Sequence, residues 1–544
     1  MISLYNNTDD PFGLYGINHF IKKFGIPVVI NKPSKSGVVI AYGVKASGNF
    51  VISVEENEIK NSICGQISTP HDKIPLCEMP ADTGSEGEVI AHFETDTRRY
   101  PCITRNDQGF CIGMDIFRET GYQLSGHLDS IRPSLDSTTR KQIASKPCVD
   151  FLEKILFDAI RTGCNERQIP LIQKSYWPDG KKFAVCLTHD VDEIKKTYQW
   201  ITRPLRFLAH RDFLGFTDQL YSFVQYLKGE EPYFTYDDLI NVERNLGVKS
   251  TYFILKESGY PNLSSKDTWY LFGRNRSLQS PEMRALIQRL ASNGDEIAIH
   301  GSYFSFKDPA MLKEETRELE QLIGTKVIGT RQHNLNLQVP ETWNCHLSAG
   351  LEYDTTLGFI DTIGFKWGTS FPFFPNSGEG PIRLLEIPLI IMDICLEFSE
   401  NKEYDCLQIA DETEKYHGVL TLLWHPPVFN TLEYPFARDM YIKINKYCQE
   451  KGAWAARACD IHEWIKNRTS DTFTYCYDIS THACKIVPTP VNKDHFFSIY
   501  IPSDKMCCIR SGNAIIIKNE EDCVHIKTQA LQENNEILLE IYDH

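Results

Sequence analysis

Several apolar runs of this 544-residue chain stop on an ionisable side chain. FAVCLTHDVDE delivers His189, Asp190 and Asp192; EIAIHGSY reaches His300; KVIGTRQHN reaches Arg331 and His333; VLTLLWHPP reaches His425. On an extended strand, residues i and i+2 face the same way, so Asp190 and Asp192 project together while His189 points elsewhere. Two carboxylates, histidines and an arginine in one cavity suit metal-assisted hydrolysis. One carboxylate anchors a hard or borderline divalent cation, and the other acts as a base that a nearby arginine keeps ionised. The plain alternative is structural: capping carboxylates, an ordinary ion pair at Arg331 and satisfied strand-end histidines, with His189 the most structural of the set.

Such a cavity needs a scaffold that gathers distant strand ends. Between residues 174 and 470, short runs rich in β-branched residues (Phe183–Leu187, Ser250–Leu255, Glu296–Ile299, Lys326–Thr330, Tyr353–Leu357, Leu384–Ile391, Val419–Leu423, Ala453–Ala458) alternate with amphipathic segments. Helices are expected over Thr235–Leu246, Pro281–Asn293, Met311–Ile323, Pro340–Gly350, Tyr404–Tyr416, Tyr434–Lys451 and Asp460–Asn467. This rhythm predicts a (β/α)7-8 barrel-like domain, whose functional residues belong at the carboxyl ends of its strands. Residues 1–173 mix short β-like runs with a helical stretch at Val149–Arg161 and read as a separate α/β or α+β domain. From residue 471 to 544 helical spacing stops, and runs such as Phe473–Tyr477, Phe496–Ile501, Ala514–Ile517 and Ile537–Ile541 predict a small β-sandwich-like domain.

The composition narrows the partners. A formal net charge of −15 argues against a general nucleic-acid or anionic-membrane surface. The most apolar run, LLEIPLIIMDICL, is short and interrupted by Glu386 and Asp393, so it does not span a bilayer. Met1–Gly16 has neither the basic start nor the apolar stretch of a secretory signal, and a cytoplasmic location is expected, with peripheral attachment through a partner left open. Seventeen cysteines, odd in number and without a C-x-x-C pair, predict buried free thiols.

T-H-D-V-D at Thr188–Asp192 resembles the first motif of the polysaccharide deacetylases (carbohydrate esterase family four, the NodB-homology type), in the variant spaced D-x-D. The resemblance continues through E-I-A-I-H-G-S-Y at Glu296–Tyr303, G-T-R-Q-H at Gly329–His333, G-F-K-W-G-T-S at Gly364–Ser370 and L-L-W-H at Leu422–His425. It implies Asp190 as catalytic base, Asp192 and His300 as metal ligands and Arg331 as partner of the base. It further implies Trp367 as the aromatic of the fourth motif, lining a sugar subsite, with a core tryptophan as the equal alternative, and His425 as the acid that protonates the departing amine. An α/β domain ahead of such a barrel is similar to proteins of bacterial surface-polysaccharide loci. The family's second motif reads H-x-x-x-H, whereas the second position here is Phe304. Catalytic zinc sites have three protein ligands, and His333, where the family commonly has proline, is a candidate for the missing nitrogen; the alternatives are a weakly bound metal, a different metal or no metal. The expectation is a deacetylase using a divalent metal, zinc first, on an N-acetyl (or O-acetyl) group of a saccharide or polysaccharide. Alternatives are a degenerate glycan-binding or scaffolding protein on the same barrel, and an amidohydrolase acting on a small amide.

Overall fold

The computed structural model of the chain describes residues 1–34, 37–60, 63–70, 72–126, 137–257, 277–376, 380–489, 493–529 and 536–543. Its middle region is a curled, all-parallel sheet with neighbours in the order Leu385–Glu386, Tyr353–Asp354, Gly329–Gln332, Glu296–Gly301, Thr251–Leu255, Ala184–Val191, Val419–Leu423 and Ile391–Met392. Trp454–Ala456 adds to Ala184–Cys186 below the Thr251–Leu255 strand. The run expected as one strand over Leu384–Ile391 serves both edges. Its start pairs with Tyr353–Asp354, and its end pairs with Leu422–Leu423, so a single stretch bridges the opening of the barrel. Ile387 N donates to Asp354 O at 2.8 Å on one side, and Ile390 N donates to Thr421 O at 3.1 Å on the other.

The expected helices form where caps and spacing place them. Pro281–Ser292 opens on Ser280, whose hydroxyl accepts from Met283 N at 3.2 Å, and Pro281 occupies a position whose N–H has no helical partner anyway. Pro309–Ile323 opens on Asp308 and closes on Gly324 at φ +74°. Between the first barrel strand and Tyr236–Leu246, where the sequence analysis assigns no element, stand two helices, Gln199–Ala209 and Phe213–Leu227. Their apolar residues do not face a core, which is why a reading built on core-facing periodicity passes over them.

Residues before the barrel form a mixed sheet. Val28–Ile30, Ile2–Asn6, Val38–Tyr42, Phe50–Val54 and Gly109–Ile112 run parallel, and antiparallel strands from Gly65 to Asn106 continue it. Helices Pro11–Phe24 and Cys148–Glu166 help cover it. Its core is continuous with the barrel: one apolar cluster runs from Ile40 and Phe157 through Trp177 and Phe371 to Cys186, Phe253 and Ala298. The tail is a β-sandwich, one sheet holding Thr472–Asp478, Ala483–Thr489, Ile537–Asp543 and Lys505–Ser511, the other Leu171–Lys174, Phe496–Tyr500, Cys523–Thr528 and Ala514–Asn519. Leu171–Lys174 lies in sequence at the expected end of the first domain, yet it pairs with Phe497–Tyr500 of the tail. All seventeen cysteines are free thiols, and among the described residues no helix is long and apolar enough to cross a membrane.

One buried cation ties the three regions. Arg468, on the last barrel helix, donates to Lys22 O (2.7 Å) and Lys23 O (2.8 Å) at the end of Pro11–Phe24, and to Lys174 O (3.0 Å) and Ser175 O (2.8 Å) beside the sandwich strand. A guanidinium at a helix C-terminus also meets the negative end of the helix dipole. Replacing it by Met strands four carbonyls, so Arg468→Met should lower stability to chemical denaturation by about 3–5 kcal/mol. A variant as stable as the parent would remove Arg468 from this role.

Candidate active site

The expected residues meet at the carboxyl ends of adjacent barrel strands. Asp190 stands near the end of Ala184–Val191, His300 near the end of Glu296–Gly301, and Arg331 on Gly329–Gln332 with His333 just beyond. His425 follows Val419–Leu423. Parallel pairing sets Leu255 opposite His300, and His300 opposite Arg331, which brings these side chains level. Gly301 makes that approach possible: a Cβ there would lie 2.3 Å from Gln332 Oε1, and Gln332 is itself held by His346 and Ser305.

Arg331 is fully buried. Its Nη1 donates to Asp190 Oδ1 and to Thr188 Oγ1, both at 2.8 Å, its Nε donates to Thr355 O at 3.2 Å, and its plane lies over the Phe253 ring at 4.5 Å. The other oxygen of Asp190 faces His300, with Nε2 at 3.6 Å.

His300 Nδ1 lies 2.8 Å from the Arg331 carbonyl. A carbonyl only accepts, so Nδ1 carries the hydrogen and Nε2 is turned toward Asp192 Oδ1 at 3.3 Å. His333 stands beside it, ring centroids 5.3 Å apart. One donor atom each from Asp192, His300 and His333 lie within 4.8 Å of one another. Two imidazoles and a carboxylate, one imidazole held in its tautomer by a backbone carbonyl, fit a borderline divalent cation. Phe304 packs edge-on against Tyr303, with centroids 4.9 Å apart, and is outside this group.

Burial works against charge on both members of the Asp192–His300 contact, and their attraction outweighs it. Asp192 is held well below the usual carboxylate range by His300, His333 and His425, and His300 is pushed up by Asp190 and Asp192. For His425, burial also opposes the charge, but Asp393, then Asp192 and Asp190, raise it to about 10. Asp393 Oδ1 accepts from His425 Nδ1 at 2.9 Å, and its Oδ2 accepts the His425 backbone N–H at 2.6 Å. Nε2 is thereby left facing the cleft, 3.8 Å from Asp192 Oδ2.

Asp393 is the functional residue that sequence reasoning misses. In LLEIPLIIMD it is an ionisable residue closing an apolar run, the same signal that marks the others, but within the longer apolar stretch it reads as a mere interruption. Two other positions are placed by the structure away from the chemistry. His189 turns from the aspartates, its Nδ1 2.7 Å from Trp424 O and its Nε2 2.9 Å from Glu243 Oε1, as its strand alternation predicts. Trp367, expected to line a sugar subsite, is 1% exposed in a core cluster, edge-on to Trp343 at 5.6 Å. Of the two readings its packing is that of a core tryptophan, because its loop folds against Val149, with Val149 N donating to Gly368 O at 2.9 Å.

A cleft of about 350 Å³ opens over the group, walled by Asp192, His333 and His425 and by Tyr198, Thr202 and Arg203 from the inserted helices. His300 and the Asp190–Arg331 ion pair lie buried beside this cleft, within contact distance of Asp192 through His300.

No protein-family model matches the chain, and no curated protein is found similar to it. Solved structures that resemble it include a Mycobacterium smegmatis protein described as a polysaccharide deacetylase, 19% identical over 54% of this chain and 94% of its own, with a TM-score of 0.36. They also include a family 4 carbohydrate esterase from Streptomyces lividans in complex with acetate, 10% identical over 51% and 93%, TM-score 0.25. A family-four pseudoenzyme from Bacillus anthracis is 10% identical over 52% and 66%, TM-score 0.26. These names belong to the family that the motifs resemble; at such TM-scores the likeness carries no argument of its own, and function rests on the residues above.

If the three-donor group is a cation site, elemental analysis of the purified protein should find a stoichiometric divalent ion. His300→Ala and His333→Ala should each weaken its retention by at least ~10-fold. A His333→Ala protein that holds the ion as the parent does would exclude His333 as a ligand.

Proposed function

We propose that the chain is a metal-dependent deacetylase that hydrolyses the N-acetyl group of an acetylated saccharide. The observation that carries this reading is the convergence, at neighbouring strand ends, of a paired Asp190, a separate Asp192–His300–His333 donor set and an Asp393-backed His425. Asp192, His300 and His333 would hold the cation, which when bound supplies Lewis acidity toward a carbonyl oxygen and eases the deprotonation of water.

The remaining chemistry belongs to side chains. Asp190, one oxygen tied to Arg331 and the other turned toward His300, takes the proton from the water that attacks the acetyl carbon. The imidazolium of His425 then gives its Nε2 proton to the departing nitrogen as the carbon–nitrogen bond breaks, leaving acetate and a free amine. Asp393 keeps that ring charged and aimed. An imidazole backed by a carboxylate and a base tied to a guanidinium are a complementary acid–base pair for amide hydrolysis. An O-acetyl ester, whose leaving oxygen needs less help from an acid, would make His425 dispensable, so this pair favours nitrogen.

A second reading, a glycan-binding protein without turnover, has Phe304 in its favour, since the position usually offers a histidine ligand in the family the motifs resemble. Acetate release from acetylated chito-oligosaccharides separates the two. The parent should release acetate; Asp190→Asn should lose at least ~10²-fold in kcat, and Asp393→Asn ~10-fold or more through its effect on His425, both with unchanged circular dichroism. Binding of the oligosaccharide without acetate release by the metal-loaded parent would establish the second reading instead.

A further inference from the structure

His189 is the ionisable residue of the T-H-D-V-D segment that the proposed mechanism leaves unused, yet both of its ring nitrogens are engaged in the barrel core. The side chain is fully buried. Nδ1 lies 2.7 Å from Trp424 O, and because a carbonyl only accepts, Nδ1 carries a hydrogen and donates it. Nε2 lies 2.9 Å from Glu243 Oε1. Burial opposes charge on Glu243, but His189, Ser250 and Tyr441 hold its carboxyl below the ordinary carboxylate value. Ser250 Oγ donates to it, as do Tyr441 Oη at 2.7 Å and Tyr252 Oη at 3.2 Å. A carboxylate held by three hydroxyls fixes the plane of the imidazole beside it, and with that plane the direction of the Nδ1 hydrogen.

The carbonyl that His189 holds belongs to the peptide joining Trp424 to His425. The strand Val419–Leu423 pairs with Ala184–Thr188, and Thr188 O accepts Trp424 N at 3.0 Å. Past that point the chain leaves the sheet for the short turn Pro426–Phe429. The N–H of the same peptide is that of His425, and it donates to Asp393 Oδ2 at 2.6 Å. The unit is therefore gripped at both edges, its oxygen by His189 and its N–H by Asp393. A peptide is planar, so fixing its oxygen and its hydrogen fixes the direction in which the His425 side chain departs. Asp393 holds the N–H and Nδ1 of His425 with one carboxylate. The second grip, across the peptide, keeps that ring and its carboxylate from swinging together.

We propose that His189 is a positioning residue for the acid of the reaction: through the Trp424 carbonyl it fixes the peptide from which His425 projects, and Glu243 anchors His189 in turn. The role rests on the deacetylase reading, in which His425 Nε2 gives its proton to the departing nitrogen. A ring displaced by about an ångström still stands in the cleft but delivers that proton poorly, so kcat falls while substrate binding and cation retention persist. Asp190 is held separately, by Arg331 and through it Thr188, on the other face of the strand. The acid, not the base, is what His189 governs.

Two substitutions divide the contacts of His189. The side-chain nitrogen of Asn stands near the place of Nδ1, and that of Gln near the place of Nε2. His189→Asn thus keeps a donor for Trp424 O and gives up Glu243, whereas His189→Gln keeps Glu243 and gives up Trp424. On acetylated chito-oligosaccharides, the metal-loaded His189→Gln chain should lose at least ~10-fold in kcat at unchanged KM. His189→Asn should stay closer to the parent in kcat, yet be the less stable of the two in chemical denaturation, because Glu243 has lost its imidazole. Activity and stability then run in opposite order. A residue that only supports the core gives them in the same order; that result, or a His189→Gln chain with the parent's kcat, would overturn the proposal. A second readout needs no turnover. The Nδ1–H proton of His425, bonded to Asp393 and assigned by its loss in His425→Ala, gives a downfield NMR resonance in the full chain. It should shift or broaden in His189→Gln and keep its place in His189→Asn; a resonance unmoved in both would overturn the positioning role. A parent that releases no acetate overturns the deacetylase reading instead, and the resonance still decides whether His189 places His425.

Discussion

A guanidinium without solvent must be surrounded by acceptors, and at Arg331 that requirement organises the site. Its side chain holds Thr188 and Asp190 of the first strand and the Thr355 carbonyl beyond the fifth, while its own backbone carbonyl takes the Nδ1 hydrogen of His300. Three separate strands are thus referred to one residue. Its Nη2 has no hydrogen-bond partner among the described residues, so loss of a further acceptor would leave still more of a buried cation unpaired, a far larger penalty than the net gain from an exposed pair. The pairing gives Asp190 its orientation: one oxygen is committed to Arg331, so the other is the one turned toward His300.

The two cleft imidazoles then differ by what stands behind them. His300 has a neutral carbonyl on Nδ1, which leaves Nε2 as a lone-pair donor toward the cation site. His425 has the Asp393 carboxylate on Nδ1, which favours the doubly protonated ring and makes Nε2 an acid. Identical side chains, a few ångströms from the same Asp192, thus have different outer partners, a carbonyl in one case and a carboxylate in the other, and the proposed mechanism gives them different roles. His189 shows the limiting case, with acceptors on both nitrogens and no face left for chemistry.

What the sequence reveals and what it hides follow one physical distinction. Asp190, Asp192, His300, Arg331, His333 and His425 are legible because parallel strands end at a common level, so an ionisable residue closing an apolar run is already a statement about position. The same logic makes the barrel helices legible through caps and spacing. Asp393 carries that signal too, but Leu384–Ile391 does not behave as one strand. It crosses from one sheet edge to the other, and only the second pairing, to Leu422 and Leu423, makes Met392 a strand end. Trp367 and Leu171–Lys174 escape because their partners, Trp343 and the Phe496–Tyr500 strand, are remote in sequence, and no local pattern encodes such contacts. The hairpin of helices Gln199–Ala209 and Phe213–Leu227 escapes for the opposite reason: its periodicity is plain, but the apolar side faces outward, against the assumption that makes periodicity informative.

The position of that hairpin in the chain has a consequence for the cleft. It is inserted after Val191, at the carboxyl end of the first barrel strand, where loops surround the mouth; an insertion at the amino end would sit on the far side, against the N-terminal domain. Its first helix therefore has two working faces separated by its own width. Thr202 and Arg203 look inward to the cleft, and Ile201 and Leu205 look outward. Arg203 and Arg206 are paired with Glu433 and Glu397 at distances that keep the helix fixed relative to the barrel rather than free to swing. Whatever surface the outer residues contact, its level relative to Asp192 and His425 is set by a single helix diameter of roughly 10 Å.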